Sequence, residues 1–131
     1  MKVPFYDMRP ANEACRSQIE AAMARVMDKS WYILGEELEA FEQSYAQYCG
    51  AAHCIGVNSG TDALWLALLA AGVGPGDEVV TVAHTFVATA ISIIKTGAVP
   101  VFADVDPETL LMDPRSVKDR ITNLTKVILP V

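Results

Sequence analysis

Apolar residues recur at helical spacing from Ala11 to about Lys29, with Ile19, Ala22, Met23, Val26 and Met27 on one side of the expected helix. The stretch Ser30-Trp31-Tyr32-Ile33-Leu34-Gly35 breaks that rhythm and reads as a loop. A second helix is expected from roughly Glu36 to Cys49, with Leu38, Phe41, Tyr45 and Tyr48 on one face and Gly50 as its C-cap. Beyond Ala51 the texture changes to short β-rich runs alternating with helices. The expected strands are His53–Val57, Glu78–Val82, Val99–Ala103 and Lys126–Val131, with helices near 62–72, 85–96 and 114–121. The pattern divides the chain into a helical segment with a loop, residues 1–50, and the first part of an α/β domain, residues 51–131.

Alternating strands and helices, with strands that are almost continuously apolar, indicate a mainly parallel sheet covered by helices on both faces. Right-handed crossovers then align the C-terminal ends of the strands along one edge, where ligands bind in such sheets. Three polar or aromatic clusters fall there: Asn58-Ser59-Gly60-Thr61, Ala83-His84-Thr85-Phe86 and Asp104-Val105-Asp106. The glycines of Gly72-Val73-Gly74-Pro75-Gly76-Asp77 imitate a nucleotide loop, but they follow a helix and precede a strand. That is the wrong polarity for a dinucleotide or P-loop motif, so the segment reads as a helix stop and turn.

Ser59-Gly60-Thr61-Asp62 lies where an apolar run ends and the apolar helix from Ala63 begins. The first N–H groups of a helix have no intrahelical acceptor and sit at the positive end of its dipole. Gly60 lets an anion approach the backbone, and the hydroxyls of Ser59 and Thr61 add donors, a set suited to phosphate. The same residues also serve as ordinary helix caps, and the four residues alone favour neither role.

Composition narrows the classes. With 131 residues, 52% hydrophobic and 20% charged, the chain has the size and apolar content of one globular domain. A net charge of −6, with no basic stripe, argues against nucleic acid and anionic membrane as partners. The longest apolar runs are too short or too interrupted to span a membrane. Pro4 and Asp7 break any N-terminal signal pattern, and three cysteines without CxxC spacing fit a reducing, cytoplasmic setting. Cys49, His53 and Cys54 lack a fourth ligand at usable spacing, so no metal site is expected. The final run Lys126–Val131 ends within an apolar strand, which reads as the front part of a longer protein.

Five ordered segments closely resemble the DegT/DnrJ/EryC1/StrS family. They are Ile33-Leu34-Gly35-Glu36-Glu37-Leu38-Glu39-Ala40-Phe41-Glu42, Gly56-Val57-Asn58-Ser59-Gly60-Thr61-Asp62-Ala63-Leu64, Gly74-Pro75-Gly76-Asp77-Glu78-Val79, Ala83-His84-Thr85-Phe86-Val87-Ala88-Thr89-Ala90 and Gly97-Ala98-Val99-Pro100-Val101-Phe102-Ala103-Asp104-Val105-Asp106. The resemblance implies a pyridoxal 5′-phosphate (PLP)-dependent aminotransferase with the large domain of the aspartate aminotransferase-like (type I) fold. The amino group would pass from an amino acid, glutamate first among them, to a nucleotide-linked keto-deoxysugar in amino-sugar biosynthesis. The chain would cover only the first third or so of such a protein, which would act as a homodimer.

Carried residue by residue, the resemblance makes Gly60, Thr61 and Ser59 the cradle for the cofactor phosphate. It makes Phe86 the ring that stacks on the pyridine, although a core position is the ordinary expectation for a phenylalanine. Trp31 and Tyr32 fall in a loop associated with the sugar-nucleotide site and the dimer interface. His84 either lines the substrate pocket or satisfies a backbone carbonyl. Asp104 and Asp106 are expected to be structural, with Asp106-Pro107 starting a turn. Transamination also needs a lysine that binds the cofactor covalently and a carboxylate facing its ring nitrogen. Neither motif is matched by Lys2, Lys29, Lys95, Lys118 or Lys126, so no catalytic residue is assigned within the chain and it is expected to be inactive alone. A sugar dehydratase of the same fold, with histidine in place of that lysine, and a non-catalytic relative remain as alternatives.

Overall fold

The computed structural model describes residues 3–131, which fall into two compact units divided between Gly56 and Val57. The first is built on two helices. Helix α1 (Arg9–Lys29) starts with Pro10 in its first turn, where a missing N–H costs nothing, and ends at Ser30 in the left-handed conformation. Helix α2 (Glu36–Cys49) begins after Gly35 with three acidic residues in its first turn, and it stops at Gly50, whose φ of 65° closes a glycine C-cap. Between the helices lies the expected loop, with Leu34 also at positive φ. Arg25 and Glu37 form a two-point ion pair, its longer contact 2.8 Å, that ties α1 to α2. Phe41, Tyr45 and Tyr48 stack along one face of α2, with centroid separations of 5.6 and 6.2 Å.

The second unit alternates helix and strand: α3 (Gly60–Ala70), β1 (Glu78–Val82), α4 (Ala88–Lys95), β2 (Val99–Ala103), α5 (Pro114–Arg120) and β3 (Thr125–Ile128). The three strands form one parallel sheet in the order β2-β1-β3, so β1 is central and buried from Val79 to Val82. Neighbouring residues of β1 face opposite ways, and each face meets its own helical layer. Val79 packs with Leu68 of α3 and Ile93 of α4, whereas Val80 packs with Ala103 and with Val117 of α5. Helices therefore cover both faces, as the continuous apolar strands imply. The turn before β1 has Gly72 and Gly76 at positive φ, and Asp77 accepts from the Gly74 amide, so this glycine-rich segment is a helix stop and turn.

One expected strand is not formed. His53–Val57 takes no regular secondary structure, and among the described residues no strand pairs with it. The Gly56 amide, which a ladder would employ, donates instead to Glu42 Oε1 of α2 at 2.6 Å. A strand exists through its neighbour's hydrogen bonds, and apolar composition alone does not supply them.

Candidate functional site

The site is set by the first turn of α3. Ser59 is the N-cap in extended conformation, and its Oγ accepts from the Asp62 amide at 3.1 Å while donating to Asp62 Oδ2 at 3.0 Å. This reciprocal cap satisfies the third amide of the helix, and the Ser59 carbonyl takes the amide of Ala63 at 2.9 Å. Among the described residues no protein group accepts from the amides of Gly60 and Thr61. Nothing lies within 4 Å of the position a Cβ would take on Gly60, so the approach to these two donors is open. The two readings of the turn divide between its residues: Ser59 caps, and Gly60 and Thr61 present free donors at the positive helix end.

Gly60 and Thr61 line a cavity of about 580 Å³ together with Leu64, Phe86 and Thr89 among others. Phe86 reaches it from the turn that follows β1. That turn is fixed by Thr85 N donating to the Ala83 carbonyl, by a 2.8 Å hydroxyl contact between Thr85 and Thr89, and by Thr89 N donating to the Phe86 carbonyl. Phe86 is 76% exposed, so it is not a core residue. An unburied aromatic face beside unpaired helix-terminal amides matches a planar ring carrying an anionic group.

Helix α4 braces this turn. The hydroxyl of Ser92, fully buried, shares its hydrogen between the Ala88 carbonyl at 2.7 Å and the Thr61 carbonyl at 3.1 Å, and one turn later Lys95 Nζ lies 3.5 Å from Asp62 Oδ1. Lys95 Nζ also sits 3.8 Å above the Trp65 ring, in cation–π contact. The Ser59 hydroxyl, the Asn58 amide and Lys95 together hold the Asp62 carboxyl below the usual carboxylate range. No spacing rule in the sequence connects Lys95 with this turn, because the residues lie so far apart along the chain.

The other candidates lie elsewhere. His84 is exposed beyond the end of β1 and does not line this cavity. Trp31 and Tyr32 line a cavity of about 270 Å³ in the first unit, beside Lys29, Leu34 and Gly35. Gly35 is closely packed there, since a Cβ would lie 3.2 Å from the Trp31 carbonyl oxygen. Asp106 collects the amides of Glu108 and Thr109 on Oδ1, the turn expected after β2, and these bonds lower its pKa. Among the described residues no group of three or more His, Cys, Asp or Glu gathers as a metal site would.

Comparison with known proteins decides the family. The model of the DegT/DnrJ/EryC1/StrS aminotransferase family matches residues 13–131. The chain belongs to that family. It is 46% identical over 130 residues to dTDP-3-amino-3,4,6-trideoxy-alpha-D-glucose transaminase of Streptomyces venezuelae, covering 99% of this chain and 34% of that protein. The X-ray structure of DesV from S. venezuelae superposes with a TM-score of 0.95 at 46% identity, over 98% of this chain and 35% of that one. Bacillus subtilis NtdA, solved with bound cofactor PMP, gives a TM-score of 0.93 at 35% identity, over 98% of this chain and 30% of NtdA. The fold is therefore that of the aspartate aminotransferase-like large domain. The chain spans about a third of the length of the curated DegT/DnrJ/EryC1/StrS relatives it matches.

Proposed function

We propose that the chain supplies the phosphate cradle and ring platform of a PLP-dependent aminotransferase acting on a nucleotide-linked keto sugar. The observation that carries this reading is the pair of unpartnered amides of Gly60 and Thr61, residues that line one cavity with the exposed Phe86. The donor set fits the cofactor: two N–H groups at a helix N-terminus and the Thr61 hydroxyl for a phosphate, an aromatic face for a pyridine, and open space at Gly60. When bound, PLP supplies an electron sink for carbanion chemistry at an amino acid's α-carbon. This chain's own residues bind and orient. Gly60 and Thr61 hold the phosphate, Ser59 keeps their amides aimed by capping the turn, and Phe86 fixes the ring plane and excludes water from one face.

The partners we assign are an amino-acid donor, with glutamate the expected one, and a nucleotide-linked keto-deoxysugar as acceptor. Trp31, Tyr32 and His84 are the residues assigned to the sugar-nucleotide side. We place the full-length protein in the cytoplasm as a homodimer; among the described residues no helix is long and apolar enough to cross a membrane. No lysine of this chain is assigned a covalent role: Lys95 is engaged by Asp62 and Trp65, and Lys29 by Glu36. The 131 residues alone are expected to bind without turning over.

The test compares pyridoxamine 5′-phosphate with pyridoxamine, neither of which forms an imine with surface lysines, by titration calorimetry. The phosphorylated form should bind at least roughly tenfold tighter, as two charge-assisted amide contacts imply. Gly60→Pro removes one amide while proline suits the first helical position and Ser59 is already extended. It should weaken the phosphorylated ligand alone. Equal affinity of the two ligands for the unaltered chain defeats the reading.

A further inference from the structure

We propose that Lys95 is a positioning residue for the phosphate cradle: by neutralising Asp62 it keeps the N-terminus of α3 receptive to an incoming dianion. The proposal rests on the cradle reading above and assigns it an electrostatic control. Asp62 stands in the first turn of α3, next to the two free amides, and an uncompensated carboxylate there would repel the phosphate those amides attract. Every other contact of that carboxylate is with a neutral group, Ser59 Oγ at 3.0 Å and Asn58 Nδ2 at 3.4 Å. Lys95 Nζ, 3.5 Å from Oδ1, is the cation that offsets it.

The position of Lys95 is itself fixed. Its ammonium lies over Trp65, one turn along α3 from Asp62, and one turn earlier its helix meets α3 through the part-buried 3.1 Å contact between the Ser92 hydroxyl and the Thr61 carbonyl. Half-exposed ion pairs contribute little to folding, with side chains here 39% and 27% accessible, so stability alone does not explain so specific an arrangement. Lys95 is not among the residues that line the cavity, and its effect is through Asp62.

The experiment measures dissociation constants of pyridoxamine 5′-phosphate, pyridoxamine and inorganic phosphate for the 131-residue chain and its variants, at low and high salt. Lys95→Met keeps the aliphatic stem on Trp65 and removes the charge. It should weaken the two phosphate-bearing probes roughly fivefold at low ionic strength, and salt should erase most of that loss. Pyridoxamine affinity should not change. Lys95→Arg should retain the unaltered affinity, and Asp62→Asn combined with Lys95→Met should recover it, the coupling expected when one residue acts through the other. Unchanged phosphate affinity in Lys95→Met overturns the proposal. So does an equal loss for pyridoxamine, which would mark Lys95 as merely structural. If the unaltered chain itself fails to distinguish phosphorylated from unphosphorylated ligand, the cradle reading falls, and this inference falls with it.

Discussion

In the unit Met1–Gly56 only Ala46 is buried among the described residues, although its two helices carry Ile19, Met23, Met27, Phe41 and Tyr45 at helical spacing. In Val57–Val131 the corresponding apolar residues close a core: Val79, Val80, Val82 and Ile93 are at most 1% exposed. Both units satisfy the same sequence periodicities. The difference is that a central strand offers two faces to helical layers, whereas two helices cover only part of each other. An apolar stripe therefore says which side of a helix is sticky, and only the presence of a second layer decides whether it is dry.

The largest test of that contrast is Ile93→Ala against Ile19→Ala. Removing Ile93 leaves a cavity in a core that is close-packed on all sides and should cost about 3 kcal/mol. Ile19, 45% exposed, should lose less than about 1 kcal/mol on truncation. Urea unfolding followed by circular dichroism measures both, and equal losses would erase the distinction between the units.

Glycine positions sharpen it next. Gly97, in the second unit, has φ of 87°, and a Cβ there would meet Pro75 Cγ at 2.8 Å. Gly50, in the first, has φ of 65° but open space around it. Gly97→Ala should cost about 2 kcal/mol or more, from strain plus collision, and Gly50→Ala about 1 kcal/mol from strain alone. A reversed order in thermal melts would show that the turn before β1 yields more easily than its packing implies.

The smallest effect is in pH dependence. Asp113 caps α5 by accepting the Arg115 amide, and that bond holds its carboxyl below the ordinary value of 3.8. A depressed folded pKa means that the contribution is complete above 3.8 and is lost as pH falls through the lower folded value. Asp113→Asn should therefore lower the melting temperature of the second unit slightly at pH 7, where the ionised contribution is lost, and flatten its decline below pH 4. An unaltered acid slope would remove Asp113 from the account.

The parallel sheet was legible because its strands are nearly continuous apolar runs between helices, and the turn at Gly72–Asp77 because its polarity excluded a nucleotide loop. His53–Val57 misled for the same reason the others succeeded: composition marks a strand, but a ladder needs a neighbour, and Gly56 gives its amide to Glu42. At the site, the sequence located the turn but not the division of labour within it. That Ser59 spends both sides of its hydroxyl on Asp62 follows from hydrogen-bond geometry. Lys95 and Asp62 meet only because α3 and α4 pack side by side, which no local pattern encodes. Phe86 is the reverse case. Burial was the default for its chemistry, and the short turn after β1 holds it out.

The chain has two tryptophans, Trp31 in the first unit and Trp65 in the second. Trp31 is 53% exposed, while the indole N–H of Trp65 is buried without an acceptor and its ring is capped by Lys95. Exposed and partly buried indoles fluoresce at different wavelengths, so each unit carries its own optical label. Unfolding of the sheet would redden the blue component from Trp65, and loosening of the helix pair would be followed at Trp31. A ligand settling at the start of α3 would be reported by the ring that lies one turn away.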